Sequence, residues 1–253
     1  MDLRDRVAVV TGGAAGAGRV VVSALAGRGA IVLVADADGP RCAETVAAVE
    51  LSGGRAASVV ADLCDDAAGD ALVDAALRLG RLGLLVNNAG GWGDAGRRFP
   101  DATPDEWGRV LELNLGAPMR LTQAVLAPLR AAGGGAVVNV ASGAGLELSP
   151  YESPEYGAAK AGLIRFTAAV ARLRETHGVR VNCLVPGWIG LDRAHAQLAA
   201  MPAARRAHAP PLVPPERVAA SVVHLATADD LSGRVLVLRG GREPDLLDPK
   251  PFE

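Results

Sequence analysis

The chain has 253 residues, half of them hydrophobic, with 26 basic against 28 acidic side chains and a formal net charge of −2. That length suits one α/β domain with a sizeable core, and the interspersed charges form no basic block for a polyanion, so nucleic acid is not expected as a partner. No run reaches the ~18 apolar residues of a membrane span, and Cys42, Cys64 and Cys183 are odd in number and too scattered for a disulfide framework or a zinc site, so no membrane, no metal and a reducing, cytoplasmic setting are expected.

From the N-terminus, MDLRDRVAVVTGG carries acids within its first five residues, has no small-residue cleavage site behind its apolar run, and reads as a first strand. Val7 to Thr11, Ile31 to Ala35, Ala57 to Ala61, Leu84 to Asn87, Ala136 to Val140, Val179 to Val185 and Val235 to Leu238 are short, Val-rich and apolar on both faces, the pattern of parallel strands covered on both sides. Helical stretches fill the intervals at about 17–28, 40–52, 66–79, 104–131, 153–176 and 215–227. The alternation predicts a single α/β domain over 1–253, built on a doubly wound, seven-stranded parallel sheet with helices on both faces. Thr103-Pro104-Asp105-Glu106 opens the fourth helix with an N-cap residue, a proline at the first helical position and acids in the first turn. Residues 187–214 break the rhythm with Pro202, Pro210, Pro211 and Pro214. A long connection inside a compact domain is usually functional, and this one is expected to be a flexible substrate lid with short helical pieces.

The first strand runs into Thr11-Gly12-Gly13-Ala14-Ala15-Gly16-Ala17-Gly18, directly before a helix. Glycines there permit a tight turn and close approach of the backbone to a pyrophosphate at the positive end of the helix. Alone the signal is weak in a chain with 31 glycines, but its place after the first strand strengthens it. The second strand ends at Asp36, where a carboxylate can accept hydrogen bonds from a ribose and repels a 2′-phosphate; Ala15 and Ala17 supply no cation for such a phosphate, so NAD is favoured over NADP. Asp62, ending the third strand, is a candidate for the adenine edge, with helix capping an equally good reading. All five asparagines, at 87, 88, 114, 139 and 182, flank strands or sit in an apolar helix. Buried amides need partners, Asn114 in Leu111-Glu112-Leu113-Asn114-Leu115 above all.

Tyr156-Gly157-Ala158-Ala159-Lys160 sets a phenol and an ammonium four residues apart on one helix face. A neighbouring cation favours the phenolate and brings a tyrosine toward the range of a general acid or base. Lys160 and Lys250 are the only lysines among the 26 basic residues, so a lysine here implies a need for a compact ammonium rather than a bare charge. Tyr151 is the weaker candidate, because Glu155 four residues on would disfavour its phenolate. Of Ser142, Ser149 and Ser153, only Ser142 directly follows a buried strand. His177 and His224 do not read as ligands, and His195 and His208 read as solvated loop residues.

Together the TGxxxGxG turn, Asp36, the NNAG stretch at 87–90, Asn114, Ser142 with Tyr156 and Lys160, and Pro186-Gly187 resemble the short-chain dehydrogenase/reductase family, in order from about residue 3 to Gly241. The resemblance implies a three-layer Rossmann fold and an NAD(P)-dependent oxidoreductase, with Tyr156 as acid/base, Lys160 lowering its pKa and binding the nicotinamide ribose, Ser142 holding the substrate oxygen and Asn114 anchoring a water in the proton relay. It places cofactor contacts on Gly12, Gly16, Gly18, Asp36, Asp62, Leu63, Asn88 and Gly90, with Ala15, Ala17 and Ala89 in the same turns, Tyr156 and Lys160 beside them, and Pro186, Gly187 and Ile189 at the nicotinamide. Leu191 stands where the family often has a threonine, and Arg239 where it has an acid. Gly91 to Arg98 resembles a variable insertion at the mouth of the site. Trp92, with Trp188 and Met201, forms a substrate wall or packs locally; Gly143, Leu148 and Tyr151 are further candidate substrate contacts.

The expected reaction interconverts a secondary alcohol and a ketone on a small molecule; the resemblance implies a homo-oligomer, commonly a tetramer formed through the fourth and fifth helices, and the apolar faces here fit a dimer or a tetramer. Two rivals stand beside it: a catalytically idle NAD-binding sensor or scaffold, and a ketoreductase whose substrate rides on an acidic carrier protein met by Arg97, Arg98, Arg193, Arg205 and Arg206.

Overall fold

A computed structural model describes residues 1–92 and 97–248; Gly93 to Gly96 of the expected insertion, and Lys250, lie outside the described residues. Seven parallel strands form where the apolar runs lie: β1 (Val7–Thr11), β2 (Ile31–Asp36), β3 (Arg55–Val60), β4 (Leu82–Asn87), β5 (Gly135–Val140), β6 (Val179–Pro186) and β7 (Val235–Leu238). Their order, β3-β2-β1-β4-β5-β6-β7, is doubly wound and reverses between β1 and β4. β1, β4, β5 and β6 bury every residue because helices cover both faces.

An eighth strand, β8 (Asp245–Leu247), pairs antiparallel with β7 and corrects the expected count of seven. It is only three residues long and partly exposed, so it has no periodicity to read. β3 lies at the opposite edge and starts two residues before its expected bound.

On the two faces lie α1 (Gly16–Ala26), α2 (Gly39–Leu51), α3 (Ala68–Leu79), α4 (Pro104–Leu111), α5 (Ala117–Ala131), α6 (Pro154–Ala169), α7 (Leu173–His177) and α10 (Pro215–Thr227). α4 opens on a full capping box, Thr103 and Glu106 each bonding the other's backbone N–H. The helix expected over 104–131 is interrupted by a π-helical turn, Glu112–Gly116, and that over 153–176 breaks after Ala169. Within 187–214 lie α8 (Asp192–Ala200) and α9 (Ala203–Arg206). This excursion is closed at its neck, where Val213 N–H donates to the Trp188 carbonyl at 2.7 Å and Gly190 N–H to the Val213 carbonyl at 2.8 Å.

The buried asparagines find partners. Asn87 donates to Asn139 at 2.9 Å, Asn139 donates to Thr167 at 2.9 Å, and Asn182 donates to the Leu231 carbonyl at 3.0 Å. Among the described residues no His, Cys, Asp and Glu group is placed to hold a metal ion, and no helix is long and apolar enough to cross a membrane.

Candidate active site

β1 turns through Gly12 into α1. Gly12 has a φ of +62°, and a Cβ on Gly18 would overlap the Gly12 carbonyl oxygen and stand 2.6 Å from Asn88 Nδ2. Asn88 and Thr11 staple this turn to the end of β4: Asn88 Nδ2 donates to the Thr11 and Gly12 carbonyls at 3.0 and 3.1 Å, and Thr11 Oγ1 accepts from the Asn88 and Ala89 N–H groups, both at 3.0 Å. No side chain caps α1 and no acid stands in its first turn. Its free N–H groups and positive dipole end are left for an anion.

A cleft of about 590 Å³ opens at this turn, at the carboxyl ends of the strands where their order reverses. Gly12, Ala15, Gly16, Ala17, Gly18, Asp36, Asp62, Leu63, Asn88, Ala89, Gly90, Ser142, Tyr156, Lys160, Pro186, Gly187 and Ile189 all line it. Ala37, Arg109 and Leu113 line it too and were missed as contacts in the sequence, and Leu191, which stands where the family often has a threonine, lines it as well. Asp36 accepts from the Ala14 and Asp38 N–H groups, each at 3.2 Å through a different carboxylate oxygen, which leaves each oxygen a free lone pair. Asp62 accepts from Cys64 N–H at 3.0 Å and pairs with Arg109 at 2.6 Å, and these two partners hold its carboxyl below the ordinary range. Asp62 and Arg109 are 47 residues apart, so no local pattern marks the pair. A glycine turn with no room for a side chain, a bare helix N-terminus and a strand-end carboxylate with spare lone pairs fit a dinucleotide.

At the cleft's other end, Tyr156 and Lys160 project from one face of α6, with Lys160 Nζ 5.6 Å from the Tyr156 ring centroid. Lys160 is buried and donates to the Val140 carbonyl at 3.0 Å. Ser142, two residues past β5, begins a 3-10 turn, and its Oγ accepts from Ala144 N–H at 3.3 Å. Burial raises the Tyr156 phenol above its ordinary value, while a hydrogen bond with Ser142 pulls it down. Burial also makes the Lys160 ammonium costly, lowering it to about 8, so that it still carries its charge at neutral pH.

That cost sets a pH dependence. The folded protein binds the Lys160 proton more weakly than the unfolded chain, so between about pH 8 and 10.5 the unfolded state holds more protons and stability rises with pH. Below that window the penalty is fully present. Lys160→Met is expected to stabilise the protein at pH 7 by about 2 kcal/mol, roughly 3 for the relieved burial less about 1 for the lost hydrogen bond. The gain should shrink as the pH of thermal melts rises from 8 toward 10.5; an equal gain at every pH would mean that the ammonium is not its source.

Asn114 lies in the π-helical turn and does not line the cleft. Its Nδ2 donates to the Gly91 and Val110 carbonyls at 2.8 and 2.9 Å, and its Oδ1 accepts from Gly91 N–H at 3.2 Å. Both amide protons are therefore committed to protein, and the side chain ties the turn to the segment after β4.

Of the expected substrate contacts, Trp92 stands edge-on to Tyr156, with ring centroids 6.2 Å apart, and Tyr151 stacks on it, also at 6.2 Å. Gly143 follows Ser142 in the 3-10 turn, and Trp188 sits half-buried at the neck. Leu148 stands wholly in solvent. Tyr151 precedes α6, so Glu155 does not share a helix face with it; Glu155 is buried and accepts from Ser153 Oγ at 2.7 Å. Burial, Tyr156 and Glu152 push the Tyr151 phenol up to about 12.

The model of the short chain dehydrogenase family matches residues 6–201. The chain is 36% identical to cis-4-hydroxycyclohexanecarboxylate dehydrogenase of Sinomonas cyclohexanicum, over 94% of this chain and 96% of that protein. It is 33% identical to a 3-oxoacyl-[acyl-carrier-protein] reductase of Synechocystis sp., over 94% and 97%. A crystal structure of a short-chain dehydrogenase/reductase from Burkholderia xenovorans superposes with a TM-score of 0.84 at 30% identity, covering 95% of this chain and 97% of that one. With a family match across most of its length, a shared fold and relatives that are secondary-alcohol dehydrogenases and ketoreductases, this chain belongs to the short-chain dehydrogenase/reductase family, oxidoreductases that act on CH–OH groups of small molecules with a nicotinamide dinucleotide.

Proposed function

We propose that the protein is an NAD-dependent oxidoreductase that interconverts a secondary alcohol and a ketone, with Tyr156 as general acid/base. The observation that carries this reading is the convergence of the Ser142 hydroxyl, the Tyr156 phenol and the buried Lys160 ammonium at one end of a cleft whose other end is the glycine turn. When bound, the nicotinamide dinucleotide accepts or supplies the hydride and, oxidised, adds positive charge beside the phenol. In oxidation, Tyr156 Oη as phenolate accepts the hydroxyl proton; in reduction it returns that proton to the carbonyl oxygen. Ser142 Oγ orients the substrate oxygen through a hydrogen bond. Lys160 holds its charge under the phenol, anchored by the Val140 carbonyl, and Asn114 acts as a positioning residue that fixes the π-helical turn behind Gly90 and Gly91. Residues 187–214 serve as the lid over the substrate, and the assembly is a homo-oligomer, dimer or tetramer.

NAD over NADP rests on Asp36, held by two backbone N–H groups at the rim of the cleft with Ala15, Ala17 and Ala37 around it. A 2′-phosphate there would face a fixed carboxylate, and like charges so placed cost several kcal/mol. Fluorescence titration should find NADH bound at least about tenfold more tightly than NADPH, and Asp36→Asn should narrow that ratio about tenfold. Tighter binding of NADPH by the unaltered protein would refute the assignment. Reduction of a free ketone such as 4-oxocyclohexanecarboxylate separates this reading from its rivals. An idle dinucleotide binder reduces nothing, and a carrier-dependent reductase does not act on the free ketone.

A further inference from the structure

The hydride chemistry leaves one aromatic cluster unused. Trp92 stands edge-on to Tyr151 and Tyr156, with centroids 5.8 and 6.2 Å away. Two guanidinium groups lie over its indole, Arg98 at 5.0 Å and Arg193 at 5.3 Å. Aromatic walls beside a reacting carbonyl suit a flat or ring-shaped apolar frame. Two cations drawn to the same wall repel each other unless counter-charges meet them.

Arg98 has its counter-charge, Glu152 at 3.3 Å. Arg193, exposed in the first turn of α8, has no carboxylate within ion-pair distance among the described residues; its contact is the Trp92 ring. It stands two residues beyond Leu191, which lines the cleft. Arg193 and the Tyr156 ring both neighbour the Trp92 indole, 5.3 and 6.2 Å from its centroid, and this short span selects among anions. The phosphates of a coenzyme or carrier thioester lie a full pantetheine arm from the reacting carbon. A carboxylate on the same small ring as the hydroxyl lies one ring's breadth away.

We propose that the substrate of this oxidoreductase is a ring-shaped hydroxy or oxo acid, whose carboxylate is bound by Arg193 while its frame packs on Trp92 and Tyr151. The proposal rests on the alcohol–ketone reading above, and its test separates the two. The whole protein is assayed with NADH on two matched pairs, 4-oxocyclohexanecarboxylate and its methyl ester, and 4-acetylbenzoate and its methyl ester. In parallel, unreactive cyclohexanecarboxylate and benzoate are titrated calorimetrically into the NADH complex.

In at least one pair the acid should exceed its ester in kcat/KM. Arg193→Ala should lower that acid-to-ester ratio about 10- to 100-fold, the worth of charge-assisted hydrogen bonds, chiefly through KM, and Arg193→Lys should restore part of it. Equal kcat/KM for acid and ester in both pairs, or a ratio untouched by Arg193→Ala, overturns the proposal and leaves the oxidoreductase reading standing. A preference for acetoacetyl-coenzyme A over both free acids also overturns it. If no ketone is reduced, the oxidoreductase reading falls and the titrations decide. Binding of either carboxylate that weakens about tenfold or more in Arg193→Ala upholds the carboxylate site; absent or equal binding refutes it.

Discussion

Tyr156→Phe is expected to lower kcat for ketone reduction about 10³-fold or more while NADH affinity stays within about twofold, because the change deletes one acid/base hydroxyl and little else. The phenylalanine ring keeps the stacking against Tyr151 and the edge contact with Trp92, so the cluster and the fold around it persist. Ser142 keeps its bond from Ala144 N–H, and Lys160 keeps the Val140 carbonyl. Steady-state assays at saturating ketone, paired with NADH fluorescence titration, separate loss of chemistry from loss of cofactor. Residual turnover within about tenfold of the unaltered enzyme would exclude Tyr156 as the proton donor. The same residue sets a pH profile. Burial holds the phenol above its ordinary value in the free protein, so kcat/KM for alcohol oxidation should rise with pH on the alkaline side, where the phenolate forms, and this rise should vanish in Tyr156→Phe.

Gly18→Ala should be among the most damaging conservative changes in the chain. The added methyl would occupy the Gly12 carbonyl oxygen's place and crowd Asn88 Nδ2, whose two hydrogen bonds hold the turn to β4. Backbone cannot rotate away as a side chain can, so the turn must open and α1 must shift from the sheet. A loss of about 2–4 kcal/mol in stability is expected. NADH affinity should fall at least about 100-fold, because the N–H groups that would receive a pyrophosphate move with the helix. Gly108→Ala is the control. It sits in α4 with nothing within 4 Å of a new Cβ, and there alanine should stabilise slightly. Thermal melts and NADH titration of the two variants side by side test the claim, and equal behaviour would defeat it.

The strands and the glycine turn were readable because each leaves a local mark: a β-branched run buried on both faces, and small residues where the chain turns tightly. Tyr156 and Lys160 were readable from helical spacing. What escaped depends on distant partners. The π-helical turn at Glu112–Gly116 has no sign in the apolar periodicity, since Asn114 is drawn there by Gly91, 23 residues away. Tyr151 was paired with Glu155 on the premise of one helix, but α6 begins at Pro154 and the spacing rule does not reach back past it. Arg109 and Leu113 became relevant only once the sheet and the helices over it set them around the cleft. The asparagines fared better. Their scarcity outside apolar surroundings is itself a sequence property, and Asn87, Asn139 and Asn182 are buried with partners.

The excursion after β6 is fastened at Trp188, Gly190 and Val213 by main-chain hydrogen bonds, which any side chain could accompany. Closing such a loop depends weakly on its contents, since doubling its length costs only about 0.6 kcal/mol. Residues 195–210, beyond the cleft-lining Leu191 and the buried Ala194, are thereby open to exchange. They could be lengthened, shortened or grafted from a relative while the strand ends beneath keep their register, which would let selectivity drift across lineages without retuning the chemistry below.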